Sequence, residues 1–595
     1  MSAPSLAVGA AVHSRVSFSF APSGGYAAWL VAGVGGEPMA LEVLPLRGGG
    51  ALRRVDGVPR VGPSTQPLAL DDGRVMLCQH DGGGHRLVLV EPGGEDLRWR
   101  TLAELDPQGV RVFAPPPGRH AGAPLAYAVS VTPAGASTIW RVDATVPALT
   151  PLLEVPALIT GQVWLDAAGR RLAANQIADG RPTDGVVLDL SSGGREPFFT
   201  VSKRSNDRVL AYSVATGLVA VSTDATGQMR VGCGTIGRSP VRFPQALHLP
   251  GHDGRVLEVD PAGRQLLVCE ERGAVSRLSL YDPVEDRLAA LEAPPGAVVG
   301  PANWSGPVLR VPWSAPTAPH GIAEITFRSR HEFALAGDQP EWWAQAHLER
   351  LEGPEGPIEA VVYGGQDWRR ARRLVMALHG GPLAHWRFDF DGLFQSLAAA
   401  GVAVVAPNQR GSTGYGSAHM LAIRDAWGGP DLADVRHLAR ELAGARRDVP
   451  DAELVVLGAS YGGFLALLAA QADPELWAGC VALAPFLSAP RLHADAGLPV
   501  RRLIERLGGL TEVGAGNPRC DALAGAGALG RLLLIHGTRD DQIPVAHSRA
   551  LRDRLCELGQ TGLDYIELDG EGHDLAVGPH RALVHESVVR FCSHD

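Results

Sequence analysis

The first half of the chain is a repeat of seven similar units. Each unit contains a glycine that precedes an apolar, strand-like run, and successive glycines are 43 to 49 residues apart. A period of this length, holding several short strands and turns, is typical of one β-propeller blade. We therefore predict a seven-bladed all-β propeller whose blades cover about residues 17–327. The repeat glycines are Gly25, Gly73, Gly122, Gly169, Gly217, Gly263 and Gly306.

The second half has a different pattern, in which apolar strand-like runs alternate with helical segments. Runs such as 374–378 and 532–536 are apolar on both faces, which indicates a mostly parallel sheet covered by helices on both sides. A chain of 595 residues is also too long for a single hydrophobic core. We predict a propeller domain at residues 1–330, a linker at 331–366 and a doubly wound domain at 367–595.

The composition excludes several classes of partner and cofactor. A net charge of -10 disfavours a nucleic-acid partner, which would need a basic face. The seven cysteines are scattered without a Cys-x-x-Cys pair, as in a cytoplasmic protein with reduced thiols and no zinc site. The chain also lacks an export signal and a membrane-spanning run. We predict a cytoplasmic protein with no metal, no cofactor and no membrane partner, and the sequence is compatible with a homo-oligomer.

Residues 458–462 carry the Gly-x-Ser-x-Gly pattern of a nucleophile elbow. An apolar run precedes the pattern and a helical run follows it, and this context distinguishes it from an ordinary Gly/Ser turn. The turn is so sharp that glycine is needed two residues before and two residues after the serine, where a Cβ would collide. Ser460 is therefore the predicted nucleophile.

Two later loops carry the predicted partners of this serine. A serine hydroxyl needs an imidazole to accept its proton and a carboxylate to orient that imidazole. In the α/β-hydrolase fold the acid and then the histidine follow the serine, on loops after later strands. Asp540 and His573 occupy such loops, and they complete the predicted Ser460 triad.

Other residues near these loops are weaker candidates. Asp541 is the alternative acid, because it is adjacent to Asp540. His580 and His585 lie on the predicted last helix, and we interpret them as surface residues rather than as the base.

An acyl-transfer site also needs donors for the developing oxyanion. The backbone amide of Tyr461, directly after the nucleophile, is the first predicted donor. The second is the amide of Gly381, because the two glycines of the loop His379-Gly-Gly-Pro382 let bare backbone approach a substrate.

Together, these motifs resemble those of the prolyl oligopeptidase family of serine peptidases, and the Ser-Tyr-Gly-Gly and His-Gly-Gly-Pro motifs resemble its dipeptidyl-peptidase and acylaminoacyl-peptidase branches. The resemblance implies an α/β-hydrolase domain behind a propeller, which hydrolyses short peptides through an acyl-enzyme while the propeller limits substrate size. The resembling motifs are His379-Gly-Gly-Pro382, Asn408-Gln-Arg-Gly-Ser-Thr-Gly-Tyr-Gly416, Trp427-Gly-Gly-Pro-Asp431, Gly458-Ala-Ser-Tyr-Gly-Gly463, His536-Gly-Thr-Arg-Asp540 with Ile543-Pro544, and Gly570-Glu-Gly-His573.

The resemblance also assigns residues to substrate binding. Gln542 lies where relatives commonly carry Arg or Asn against a substrate carbonyl, so that this chain keeps a hydrogen-bond donor without an arginine's charge. Ile543, Phe486, Val500 and Leu503 lie where relatives line the specificity pocket. This placement implies an apolar side chain before the scissile bond.

We hypothesise a cytoplasmic serine peptidase that acts on short peptides or aminoacyl amides. An esterase, amidase or acyl transferase of specialised metabolism is the alternative, because the triad defines acyl transfer but not the leaving group. An inactive propeller scaffold is a third interpretation, disfavoured by the intact triad order and both oxyanion elements. The preferred residue, exo- or endo-cleavage, the entry route and the assembly stay open.

Overall fold

The structure is a computed structural model of the chain. It describes residues 14–33, 37–80, 84–91, 98–105, 109–117, 123–145, 148–178, 181–248, 253–327, 331–335, 343–511 and 520–593. The strands form seven small antiparallel sheets, each made of consecutive strands, followed by one sheet of eight strands. The seven small sheets are the blades of a β-propeller, as predicted.

Blades one to four lie between residues 15 and 199. The first contains β1 (Arg15–Phe20), β2 (Tyr26–Val31), β3 (Ala40–Pro45) and β4 (Arg53–Val55). The second contains β5 (Gln66–Ala69), β6 (Val75–His80), β7 (His85–Glu91) and β8 (Arg98–Leu105). The third contains β9 (Gly109–Phe113), β10 (Ala126–Val131), β11 (Ser137–Val142) and β12 (Leu149–Val155). The fourth contains β13 (Leu158–Trp164), β14 (Arg171–Ile177), β15 (Asp184–Asp189) and β16 (Arg195–Phe199).

Blades five to seven complete the ring between residues 207 and 335. The fifth contains β17 (Asp207–Tyr212), β18 (Leu218–Thr223), β19 (Arg230–Thr235) and β20 (Ser239–Arg242). The sixth contains β21 (Asp253–Val259), β22 (Leu266–Arg272), β23 (Val275–Asp282) and β24 (Arg287–Ala290). The seventh contains β25 (Ala297–Val298), β26 (Asn303–Ser305), β27 (Val308–Ala315), β28 (Ala318–Phe327) and β29 (His331–Leu335).

The six repeat glycines of the described part stand in turns that lead into a strand of their blade, and their backbone explains why the repeat is visible. Five of them have a positive φ, a conformation that glycine adopts without steric cost. Gly25 does not, but the preceding Gly24 has φ 66°, and Gly122 lies outside the described residues. The five are Gly73 (85°), Gly169 (68°), Gly217 (79°), Gly263 (67°) and Gly306 (58°).

Side chains close the propeller ring between its first and last blades. Phe18 and Trp29 of the first blade form one buried apolar cluster with Ile322 of the seventh. The backbone carbonyl of Arg15 lies 2.9 Å from Nδ1 of His320 in β28. Because each sheet contains only consecutive strands, these contacts rather than a shared strand join the two blades.

The second half contains the large sheet, with strand order β30-β31-β33-β32-β34-β35-β36-β37. The first two strands pair antiparallel at one edge, and the other six are parallel. This arrangement is the predicted doubly wound, mostly parallel sheet. The strands are β30 (Ala346–Gly353), β31 (Gly356–Tyr363), β32 (Arg373–Leu378), β33 (Ala403–Pro407), β34 (Glu453–Ala459), β35 (Gly479–Leu483), β36 (Leu532–Gly537) and β37 (Leu563–Leu568).

Helices cover both faces of this sheet. The eight helices of the described part are α1 (Gly392–Ala399), α2 (Ser417–Met420), α3 (Pro430–Ala445), α4 (Tyr461–Ala472), α5 (Ala489–Asp495), α6 (Leu498–Arg506), α7 (Ala546–Glu557) and α8 (Arg581–Ser593). Leu397 of α1 and Val588 of α8 are buried on one face, whereas Val435 of α3, Leu465 of α4 and Leu551 of α7 are buried on the other. None of the described helices is long and apolar enough to cross a membrane.

The predicted linker, residues 331–366, contains strands of both flanking sheets. β29 pairs with β28 of the last blade, whereas β30 and β31 form a hairpin at the edge of the large sheet. The place of β31 in the large sheet is difficult to predict from its sequence, because residues on both of its faces are buried. Ile358 and Val362 are buried on one side of the sheet, and Val361 is buried on the other. The domain boundaries themselves stay a prediction, and residues 336–342 lie outside the described part.

A hairpin of the sixth blade attaches the propeller to the large-sheet domain. Its tip residue, Ala274, is completely buried in the apolar cluster of that domain. The Ala274 amide donates to the Glu359 carboxylate at 2.8 Å, and its carbonyl accepts from the Phe388 amide at 2.7 Å. The Tyr415 hydroxyl donates to the same Glu359 oxygen at 2.9 Å. Glu359 therefore joins the blade to a loop of the large-sheet domain.

Replacing Glu359 should weaken this attachment. Glu359→Ala removes the acceptor of two partly buried hydrogen bonds, so we expect the free energy of unfolding to fall by about 1–3 kcal/mol. Urea unfolding measures the change, with Glu352→Ala, an exposed glutamate on β30, as the control. Equal stability of the two variants would contradict the role of Glu359.

Candidate active site

The nucleophile elbow has the predicted strand–turn–helix geometry. Ser460 lies between β34 and α4 with φ 56° and ψ -120°, a strained conformation for a residue other than glycine. A Cβ on Gly458 would lie 2.1 Å from the carbonyl oxygen of Gly462, and a Cβ on Gly462 would lie 2.2 Å from that of Leu378. A residue with a Cβ atom therefore does not fit at either position, which explains the Gly-x-Ser-x-Gly spacing.

The three predicted triad residues meet at the carboxyl ends of the parallel strands. Ser460 follows β34, Asp540 follows β36 and His573 follows β37. The Nε2 atom of His573 lies 3.0 Å from the Ser460 hydroxyl oxygen, and its Nδ1 atom lies 2.6 Å from Oδ2 of Asp540. The serine, the imidazole and the carboxylate thus form one continuous hydrogen-bonded chain.

Hydrogen bonds hold the Asp540 side chain, which has no exposed surface, in place. Its Oδ1 atom accepts from the amides of Gln542 at 2.9 Å and Ile543 at 2.8 Å. Burial alone would raise the pKa of Asp540, but the hydrogen bonds from His536, His573 and the Ile543 amide outweigh it and hold the pKa well below its usual range. The carboxyl group is therefore ionised at neutral pH.

The structure distinguishes Asp540 from the alternative acid. Asp541 is exposed, whereas Asp540 contacts His573. His580 immediately precedes α8, and its ring Nδ1 lies 2.8 Å from the carboxylate of Glu571, in the loop that carries His573. Among these residues, only Asp540 contacts the imidazole of the predicted base, His573.

The interpretation of His585 as a surface residue is wrong. His585 is only 3% exposed, and burial lowers its pKa to about 3. It lies one helical turn from Arg581 and Val588, which are also buried, so all three share the inward face of α8. Its nearest polar partner is the Ser396 hydroxyl of α1, at 3.3 Å.

The residue after the nucleophile is anchored by a buried carboxyl group. The Tyr461 hydroxyl donates to Oδ2 of Asp431 at 2.6 Å. Burial raises the pKa of Asp431 to about 6, although the hydrogen bond from Tyr461 opposes this shift. The rings of Trp427 and Phe486 pack against the Tyr461 ring. These contacts fix the first turn of α4, whose first amide is the predicted oxyanion donor.

The His-Gly-Gly-Pro loop lies beside the elbow. A Cβ on Gly380 would lie 3.5 Å from the Cβ of Ser460. The buried His379 spans this loop and the next, with Nε2 2.8 Å from the Ser412 hydroxyl, and burial lowers its pKa to about 4. The loop is therefore close enough to supply backbone amides, and the specific donor role of Gly381 stays a prediction.

The residues assigned to substrate binding differ in exposure. Gln542 is exposed next to Asp540. Phe486 and Ile543 are only 2% and 3% exposed and belong to the apolar core, as the stacking of Phe486 illustrates. Val500 and Leu503 of α6 are half-buried against the same core. Their predicted roles in binding stay predictions, and Gln542 is the one with an open surface.

One neighbour of the triad was not predicted. The buried side chain of His536, at the end of β36, lies 3.2 Å from Oδ2 of Asp540 through its Nε2 atom. The signal in the sequence is the histidine four residues before the acid, at the start of the motif His536-Gly-Thr-Arg-Asp540. Among the described residues, no cluster of histidine, cysteine and acidic side chains could hold a metal ion.

Two cavities lie between the propeller and the large-sheet domain. One, of about 450 Å³, is lined by strands of the second, third and fourth blades and by Leu498, Pro499 and Arg502 of α6. The other, of about 350 Å³, reaches the catalytic loops through Ala459 and Asp574, which flank Ser460 and His573 in the chain. The smaller cavity thus adjoins the loops that carry Ser460 and His573.

Comparison with known proteins relates the second half of the chain to a peptidase family. Residues 386–595 match the profile of the prolyl oligopeptidase family. The uncharacterized peptidase YuxL of Bacillus subtilis is 28% identical over 221 residues, which cover 35% of this chain and 32% of that protein. Dipeptidyl aminopeptidase BIII of Pseudoxanthomonas mexicana is 34% identical over 108 residues, 18% of this chain and 15% of that protein. The alignments therefore span less than a third of these curated relatives.

A solved structure extends the similarity of fold to the whole chain. The Mycobacterium tuberculosis puromycin-hydrolyzing peptidase superposes with a TM-score of 0.77 at 19% identity, over 99% of this chain and 96% of that chain. At this identity the likeness concerns the fold alone. It agrees with the propeller and the parallel sheet described above. The chain thus joins a seven-bladed β-propeller to a domain of the prolyl oligopeptidase family.

Proposed function

We propose that the chain is a serine peptidase that hydrolyses short peptides or aminoacyl amides through an acyl-enzyme. The observation that carries this proposal is the hydrogen-bonded chain from Ser460 through His573 to Asp540, with distances of 3.0 and 2.6 Å. Serine hydrolases use this arrangement to make a hydroxyl group nucleophilic. Many classes of serine hydrolase share this triad, and the prolyl oligopeptidase family of the second domain favours a peptidase among them.

In the proposed mechanism Ser460 attacks the carbonyl carbon of the substrate, and His573 accepts the hydroxyl proton at Nε2. Asp540 holds Nδ1 of the imidazole and stabilises the imidazolium that forms. The amides of Tyr461 and Gly381 donate to the oxyanion. His573 then gives its proton to the leaving amine as the C–N bond breaks, and the acyl group stays on Ser460. Water attacks the acyl carbonyl while His573 accepts one of its protons, and His573 returns this proton to the Ser460 oxygen as the acid product leaves.

The space around the site supports a small substrate. The helix α6, which carries the assigned binding residues Val500 and Leu503, faces propeller strands across a cavity of about 450 Å³. We therefore propose that the propeller limits substrate size. The structural neighbour described as a puromycin-hydrolyzing peptidase is consistent with a small amide as substrate.

Substrate recognition is proposed to involve the strand ends beside the triad. The exposed Gln542 offers an amide group next to Asp540 and is suited to a substrate carbonyl. Val500 and Leu503 are half-buried on α6 against the same apolar core that contains Phe486 and Ile543. This apolar surrounding supports an apolar side chain before the scissile bond.

We also propose a cytoplasmic location and no nucleic-acid or membrane partner. All seven cysteines are free thiols, and six of them are buried. This state suits a reducing compartment. The net charge of -10 supports the absence of a nucleic-acid partner.

Matched substrates test the proposed reaction. We expect the protein to cleave aminoacyl anilides and peptides of two to five residues, and to leave folded proteins intact because the propeller limits access. Hydrolysis of anilides and of aryl esters with the same acyl group is followed by absorbance, and peptide products are identified by mass spectrometry. Rapid ester hydrolysis without cleavage of any peptide would favour the esterase or acyl transferase alternative.

The stability of Asp540 variants should depend on pH in a defined way. Because the pKa of Asp540 is lower in the folded protein than its value of about 3.9 in the unfolded chain, its ionisation stabilises the fold above about pH 4. This stabilisation is lost as the pH falls below that value. We expect Asp540→Asn to lower the free energy of unfolding by about 1–3 kcal/mol at pH 7, and by less below pH 4.

Urea unfolding between pH 3 and pH 8 measures this difference. The control is Asp541→Asn, which changes an exposed neighbour and should alter stability by less than about 0.5 kcal/mol. A difference between wild type and Asp540→Asn that is as large at pH 3 as at pH 7 would refute the depressed pKa.

A further inference from the structure

The imidazole of His536 contacts the same carboxylate oxygen as the imidazole of His573. His536 is fully buried at the end of β36. Its Nε2 atom lies 3.2 Å from Oδ2 of Asp540, and Nδ1 of His573 lies 2.6 Å from that oxygen on the other side. Two histidines therefore flank the carboxylate of the proposed triad, but only one of them contacts Ser460.

The neighbours of His536 determine which of its nitrogens carries a proton. Nε2 lies 2.9 Å from the Ile543 carbonyl oxygen in addition to Oδ2 of Asp540. Both oxygens are acceptors, since a backbone carbonyl has no proton and the carboxyl group of Asp540 is ionised. Nε2 must therefore donate. Nδ1 lies 2.7 Å from the Ser548 hydroxyl, which can act as donor or acceptor, so the neutral and the cationic imidazole both keep the proton on Nε2.

The contact of His536 Nε2 with Oδ2 completes the set of N–H groups around the Asp540 carboxylate. The Gln542 and Ile543 amides occupy Oδ1, and the two imidazoles occupy Oδ2. The amides come from the same loop as Asp540, so they move with it. His536 belongs instead to β36, an interior strand of the sheet, and its Nε2–H also donates to the Ile543 carbonyl. It therefore ties both ends of the acidic loop to the rigid part of the domain.

We propose that His536 is a positioning residue for acyl transfer, which fixes the rotation of the Asp540 carboxylate so that Oδ2 faces Nδ1 of His573. The inference rests on the proposed function. His536 acts through Asp540 and contacts neither Ser460 nor the open space at the elbow. Its loss should lower kcat rather than raise KM, because the orientation of Asp540 matters most when His573 carries the proton of the serine.

Substitutions of His536 with and without a side-chain donor test the inference. Glutamine places an N–H group at about the position of Nε2, whereas leucine removes the donor. We expect His536→Leu to lower kcat 10- to 100-fold with KM within twofold of wild type. His536→Gln should stay within fivefold of wild type. The rate at which a fluorophosphonate labels Ser460 should follow kcat, because labelling needs the activated hydroxyl but no natural substrate.

A matched control separates this effect from the loss of a buried histidine. His585→Leu removes an equally buried imidazole from α8, distant in sequence from the Asp540 loop, and should change kcat by less than threefold. If His536→Leu does not fold, His536→Asn replaces it, because the shorter amide does not reach Asp540. His536→Asn should then be at least fivefold slower than His536→Gln.

The outcomes distinguish this inference from the proposed function. The inference is overturned if folded His536→Leu keeps the wild-type kcat, or if the glutamine variant is as slow as the leucine or asparagine variant. It is likewise overturned if KM rises while kcat stays constant. If the wild-type protein itself is not labelled at Ser460, the proposed function fails instead.

Discussion

The close approach of backbone to backbone around Ser460 is the constraint on which the site depends. The carbonyl oxygens of Gly462 and Leu378 occupy the positions where side chains of Gly458 and Gly462 would stand. The elbow can therefore form only with glycine at both positions. The resulting turn places the serine above the sheet in a strained conformation. It also starts α4 at the next residue, so that the predicted oxyanion amide and the proposed nucleophile are set by the same turn.

The rest of the large-sheet domain brings other groups to this turn. Parallel strands end at one edge, and the loops after β36 and β37 supply Asp540 and His573 there. The propeller approaches the same domain through the buried hairpin tip at Ala274, which Glu359 holds. Two cavities lie between the domains, and the smaller one is lined by Ala459 and Asp574 beside the proposed triad. The proposed limit on substrate size follows from that arrangement.

Local signals made much of this structure predictable. The blade repeat is visible because turns with positive φ select glycine, as at Gly73 and Gly263. The elbow is visible because its two glycines are close in sequence. Contacts between distant segments produce no local sequence pattern. The hydrogen bond between Tyr461 and Asp431 and the burial of Ala274 both depend on residues that are far apart in the chain. The prediction that His585 is exposed was wrong because the residue type alone does not distinguish a buried histidine from a surface histidine. Only the packing of α8 distinguishes them.

The proposed mechanism requires that Ser460 becomes covalently acylated during turnover. The protein is mixed with a chromogenic aminoacyl aryl ester, quenched in acid within the first turnovers, digested and analysed by mass spectrometry. We expect one acyl group on the peptide that contains Ser460, which disappears as product accumulates and is absent from Ser460→Ala. Full product release without an acyl group on Ser460, or an acyl group only on another residue, would contradict the account.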